Sequence, residues 1–165
     1  MTKSEPDPRW LTPKELDSWL TVVAMSQALM TALDTQLKRD AGLNHFEYFV
    51  MASLSQAPDH TLRMSRLAVL AQGSLSRLSH GVARLEKAAW VVRRPCPDDG
   101  RYTEARLTSA GYKKVQRTAP GHVIEARRLV VDALTPTELT QLTRAARAII
   151  EQADPDIARR LDEGL

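Results

Sequence analysis

Apolar residues recur at helical spacing over most of the chain. Leu16, Val23, Met30 and Leu37 return every seven residues, with Trp19, Leu20 and Leu33 beside them. That pattern predicts one long amphipathic helix running to about Arg39 and stopped by Gly42. Its start is marked by Thr12-Pro13-Lys14-Glu15: the threonine caps, the proline sits where no N–H is needed, and Glu15 completes a capping box. Asn44 and Glu47 repeat the cap ahead of Phe46, Phe49, Val50 and Leu54, and this second helix ends before Pro58. Met64, Leu67, Ala68 and Ala71 give a short third helix, after which Gly73 supplies a turn. A fourth helix is expected from about Ser74 to Ala88, then an extended stretch Trp90–Arg94, a Pro/Asp/Gly loop, and a strand Thr103–Leu107. Thr108 and Ser109 cap a fifth helix that Pro120-Gly121 is expected to kink or break. Thr135-Pro136-Thr137-Glu138 opens a last helix carrying Leu139, Leu142, Ala146, Ile149 and Ile150. Residues 1–11, polar and interrupted by proline, read as a loose arm.

Composition agrees with a mainly α fold bearing one small β-hairpin. Of the 165 residues 43% are hydrophobic but only 5% aromatic, so the core rests on Leu, Val, Ala and Met. The expectation is a single domain with no apolar run approaching the ~20 residues of a membrane span. No signal-peptide core is visible at the N-terminus, so a cytoplasmic location without a membrane partner follows. One cysteine, Cys96, excludes an internal disulfide framework.

The net charge of +3 is modest, but its distribution is not. Thr61–Arg106 holds nine Lys/Arg against four Asp/Glu, a local +5, while the remainder of the chain is at −2. On a helical wheel, Leu75, Leu78, Val82 and Leu85 form the core stripe of the fourth helix. Ser76, Arg77, His80, Ala83, Arg84 and Lys87 face the other way. Short polar groups followed by basic ones suit a helix that enters a major groove, although an ordinary solvated face has the same look. Gly81 costs about 1 kcal/mol against alanine in such a helix, which makes sense if something packs closely there. The hairpin that follows carries Arg93 and Arg94 on its way in and Arg101 at its tip. A tip arginine suits the negative potential of a narrow minor groove. Asp99 is out of place beside phosphate unless it orients Arg101 or Arg84. For Asp98-Asp99-Gly100 a plain tight turn is the simpler account.

Leu75 through Thr108, LSRLSHGVARLEKAAWVVRRPCPDDGRYTEARLT, resembles the MarR-type transcriptional regulators. The matching pieces are Arg84-Leu85-Glu86-Lys87, Val91 with Arg93-Arg94, Asp99-Gly100-Arg101 and Leu107-Thr108; upstream, Met64-Ser65-Arg66-Leu67-Ala68 looks like the first helix of the helix-turn-helix. More weakly the likeness extends over 12–162. It implies a winged helix-turn-helix at 44–108 embedded in a helical dimerisation region, 12–43 and 109–162. It also implies a homodimer on a pseudo-palindromic operator in double-stranded DNA, with a repressor as the usual role. Ser76, Arg77, His80 and Arg84 would then read the major groove and Arg101 the minor groove. Lys87, Arg93 and Arg94 would hold phosphates, with Asp99 as the orienting carboxylate. Where the family usually has glycine, this chain has Ala89.

Relatives of this type often bind small aromatic ligands between the dimer helices and the DNA-reading module; Trp19, His45, Tyr48 and Phe49 are the candidates here, or else plain core. His45, His60, His80, His122 and Cys96 lack metal-ligand spacing, and no catalytic constellation or cofactor loop is present. Cys96 lies near three arginines, so a redox role stays open. Two other readings also remain: a winged-helix module for protein assembly, and a small helical ligand-binding protein without DNA.

Overall fold

The computed structural model describes residues 8–97 and 99–162. The first seven residues of the expected arm, and Asp98, lie outside the described residues. The elements run α1 (Pro13–Ala41), α2 (His45–Gln56), β1 (Thr61–Arg63), α3 (Met64–Leu70), α4 (Leu75–Lys87), β2 (Val91–Pro95), β3 (Thr103–Leu107), α5 (Ser109–Ala126), α6 (Pro136–Ala153) and α7 (Pro155–Asp162).

All three capping boxes form. Thr12, Asn44 and Thr135 each accept from the backbone N–H of Glu15, Glu47 and Glu138, whose carboxylates accept from the capping residue's own N–H. Gly42, at φ 65°, closes α1 in the left-handed region and returns its N–H to Lys38.

The sheet has three strands rather than the expected two. β1 pairs antiparallel with β3, Thr61 opposite Arg106, on the side away from β2, giving the order β1-β3-β2. Thr61-Leu62-Arg63 is too short for an alternating pattern to be recognised. Three helices, not two, follow the hairpin. α5 is not broken at Pro120, although that residue cannot donate to the carbonyl one turn before it. The irregularity comes later, at Arg127–Val131, wound as a π-helical turn with the Asp132 N–H returning to Arg127 at 2.8 Å. α7 begins after Asp154, whose carboxylate accepts from the N–H of Asp156 and Ile157.

The chain forms two compact units, one ending at Thr118 and one beginning at Ala119. In the first, Leu37, Leu43, Val50, Met51, Leu54, Leu67, Leu78, Val82, Leu85 and Val91 are fully buried and bring α1–α4 and the sheet onto one core. Leu75, at the first position of α4, does not join them; it is 57% exposed. In the second unit α6 and α7 pack together, and Arg147 pairs with Asp162.

Much of α1 has nothing over it. Leu16, Trp19, Leu20, Met25 and Met30 are exposed, and burial starts only at Leu33 and Leu37. The helix also contains an 18-residue window of mean hydropathy 1.2, apolar enough to cross a membrane by length and composition. No unbroken apolar run occurs in it: serines, threonines and a glutamine lie between the apolar positions.

Candidate nucleic-acid interface

α4 is capped by Ser74, whose Oγ accepts from the Arg77 N–H at 3.1 Å. Leu78, Val82 and Leu85 anchor it to the core, leaving Ser76, Arg77, His80, Arg84 and Lys87 exposed. Gly81 is where the close approach occurs. A Cβ there would lie 3.1 Å from the Phe46 ring, and one on Gly73 would lie 3.0 Å from the same ring. The Arg77 guanidinium covers Phe46 with its carbon 4.5 Å from the ring centroid. One aromatic of α2 thus sets the distance of α4 and supports its first outward arginine.

The far end of α4 turns into the hairpin through Ala89, at φ 58°. Its N–H bonds to Glu86 at 2.9 Å and that of Trp90 to Leu85 at 3.0 Å, a Schellman closure. The family's glycine is therefore replaced where the backbone is left-handed, at a steric cost of about 1–2 kcal/mol. Ala89→Gly is expected to raise stability by about 0.5–1 kcal/mol, roughly 2–3 °C in thermal midpoint, once the looser unfolded chain is allowed for. A midpoint that fell would mean that the methyl group makes a contact worth more than the strain.

Carboxylates engage nearly every arginine of this face. Glu86 accepts from Arg93 three times, at its backbone N–H, Nε and Nη2, and Ser79 takes a fourth bond from Nη1. The hydrogen bonds donated by the Arg93 side chain hold the Glu86 carboxyl below the usual range. Arg94 pairs with buried Glu104 at 2.5 Å. These two arginines, assigned to phosphates from the sequence, are fasteners between α4, β2 and β3 as well as charges. At the tip, Asp99 accepts from Arg101 Nε at 3.0 Å, Nη2 at 2.7 Å and the backbone N–H at 3.1 Å. Those bonds hold the Asp99 carboxyl below its usual pKa, with nearby Arg63 adding to the effect. The Arg101 side chain nonetheless stays 84% exposed. Of the two partners the sequence offered Asp99, Arg101 is the one taken. Arg84 binds Glu47 instead, Nε to Oε1 at 2.6 Å.

Behind α4 a cavity of about 940 Å³ opens between the end of α1, the start of α2 and the recognition face. His45 and Phe49 line it together with Asp34, Phe46, His80 and Arg84. Trp19 and Tyr48 are not on its wall: Trp19 is exposed on α1, and Tyr48 is buried in the core. The four aromatic candidates are therefore not one group. Partial burial pushes the His45 imidazole pKa down against the opposing pull of Asp34. Among the described residues no cluster of three or more metal-ligating side chains occurs. Cys96 is buried, 5% exposed, with its backbone N–H on the Tyr102 carbonyl at 2.8 Å.

No protein-family model matches the chain. Solved structures do. Sco3205, a MarR family transcriptional regulator of Streptomyces coelicolor solved in complex with DNA, is 44% identical, over 92% of this chain and 94% of that one, with a TM-score of 0.86. The chain belongs to the MarR family of transcriptional regulators. AbsC, a family member from the same organism, is 36% identical over 88% of this chain and 98% of its own, with a TM-score of 0.83. The transcriptional repressor MprA of Escherichia coli (strain K12) is 25% identical over 130 residues, 79% of this chain and 73% of that protein.

Three further residues of this MarR-family chain lie against or beside α4 or in the first helix of the helix-turn-helix. Phe46 was taken only as a helix marker, and Gly81 was the one hint that it lies under α4. Glu47 was read as a cap and nothing more. Arg66 is exposed on α3 and makes no ion pair among the described residues; its position in the first helix of the helix-turn-helix was the available signal.

Proposed function

We propose that this regulator is a sequence-specific DNA-binding protein, a repressor by the pattern of its relatives, that acts as a cytoplasmic homodimer on a pseudo-palindromic operator. The observation that carries this reading is the pairing of an exposed polar and basic α4 face with a wing tip where Asp99 clamps an otherwise exposed Arg101. α4 would enter the major groove, with Ser76, Arg77, His80 and Arg84 at base edges. Arg101 would enter the adjacent minor groove, and Lys87, Arg93 and Arg94 would meet phosphates. The dimer would use 12–43 and 109–162; in its favour is the uncovered apolar stripe of α1. A small aromatic effector would occupy the cavity behind α4, beside His45 and Phe49.

DNA selected from a random pool by the purified protein should converge on one two-fold sequence. Binding to it should also fall steeply with salt: with about six phosphates neutralised per dimer, affinity drops roughly a thousandfold between about 50 and 200 mM. Selection of no common sequence, or an affinity indifferent to salt, would remove the DNA reading and favour a protein-assembly role for the winged module.

A further inference from the structure

Glu47 is 7% exposed and lies on α2, not on the face offered to DNA. Its two carboxylate oxygens serve two helices. Oε2 accepts from the Asn44 N–H at 2.9 Å and closes the cap of α2, and Oε1 accepts from Arg84 Nε at 2.6 Å and holds the recognition helix. The Arg84 side chain remains 60% exposed although its Nε is held by Glu47. A carboxylate gives each donor its own oxygen, whereas an amide has a single acceptor oxygen for both and a nitrogen that only donates. Arg84 also lies one turn beyond His80, so its orientation bears on the outward face of α4 as a whole.

We infer that Glu47 is a positioning residue for operator recognition, acting through Arg84. The inference rests on the DNA-binding reading above. Glu47 fixes the guanidinium in one orientation before DNA arrives, and that lowers the ordering cost of the contact. It also ties the outward aim of α4 to the start of α2, which forms the opposite wall of the cavity.

Simple charge arithmetic predicts the opposite sign, and this makes the test decisive. Removing a negative charge beside a polyanion should tighten binding to any DNA. Removing a positioning carboxylate should loosen binding to the operator. Glu47→Gln is the suitable variant, because glutamine also closes a capping box and keeps α2 intact; its single oxygen then goes to the cap and leaves Arg84 without an acceptor. Operator and unrelated duplex are titrated by fluorescence anisotropy at several salt concentrations, with thermal unfolding alongside. E47Q should weaken operator binding about tenfold, nonspecific binding changing less than about twofold and the salt slope staying as in wild type. In an R84A background, E47Q should add nothing further. Unchanged or tighter operator binding by E47Q, an equal loss on both duplexes, or additive losses in the double variant would each overturn the role. Wild-type protein that binds no DNA would overturn the DNA reading itself, and this role with it.

Discussion

Gly111→Ala is expected to lower the thermal midpoint by about 10 °C, although alanine is the better helix former by about 1 kcal/mol. The reason is backbone. A Cβ on Gly111 would lie 2.1 Å from the Trp90 carbonyl oxygen, 2.9 Å from its carbon and 2.8 Å from Leu107 Cδ1. The Trp90 carbonyl has nowhere to go, since it accepts from the Thr108 N–H at 3.0 Å and from Thr108 Oγ1 at 3.2 Å. Thr108 Oγ1 also bonds the Ala89 carbonyl at 2.8 Å and accepts from the Gly111 N–H at 3.0 Å. Making room therefore means breaking the junction of α4, the hairpin and α5 together. Overpacking of this kind costs about 1–3 kcal/mol or more, and two weakened hydrogen bonds add about 1–3 kcal/mol. At roughly 2–4 °C per kcal/mol for a chain of this size, the midpoint falls by about 10 °C. Circular dichroism melts would check this; a midpoint equal to or above wild type would show that the junction is softer than its geometry implies.

The largest effect on binding is expected from Arg101→Ala: a loss of about 10- to 100-fold on the operator and a much smaller one on unrelated duplex. Two terms act in the same direction. The cation leaves the wing tip, and Asp99 is left facing DNA with its neutralising partner gone. The second term can be separated, because Asp99→Asn in the R101A background should recover part of the lost affinity by removing the stranded charge. Anisotropy titrations of wild type and the two variants measure both. Equal losses on operator and unrelated DNA would mean that Arg101 holds a phosphate and does not read groove shape.

What the sequence disclosed depended on how local each interaction is. The three capping boxes span four residues each and were legible from spacing, as was the left-handed turn at Gly42. α4 and the hairpin were placed within one or two residues, since the core stripe Leu78-Val82-Leu85 and the Asp-Gly-Arg turn are contiguous signals. Contacts that cross the core were not legible. Glu47 and Arg84 are 37 positions apart and belong to different helices, so nothing periodic joins them. Phe46 under Gly81 could be suspected from the glycine alone, without its partner being known. Leu75 shows the limit of the helical wheel, which reports angle but not how far along the axis the core extends. α5 runs on through Pro120, since one missing donor does not interrupt a helix whose other bonds hold.

The bare apolar stripe on the first half of α1 has a consequence for dosage. If two copies cover it in the proposed dimer, each chain is folded and competent only as half of a pair, and its stability rises with its own abundance. Occupancy of an operator then varies with the square of the chain concentration in the dilute regime. Halving synthesis would then lower occupancy about fourfold, a steeper-than-linear response that requires no effector.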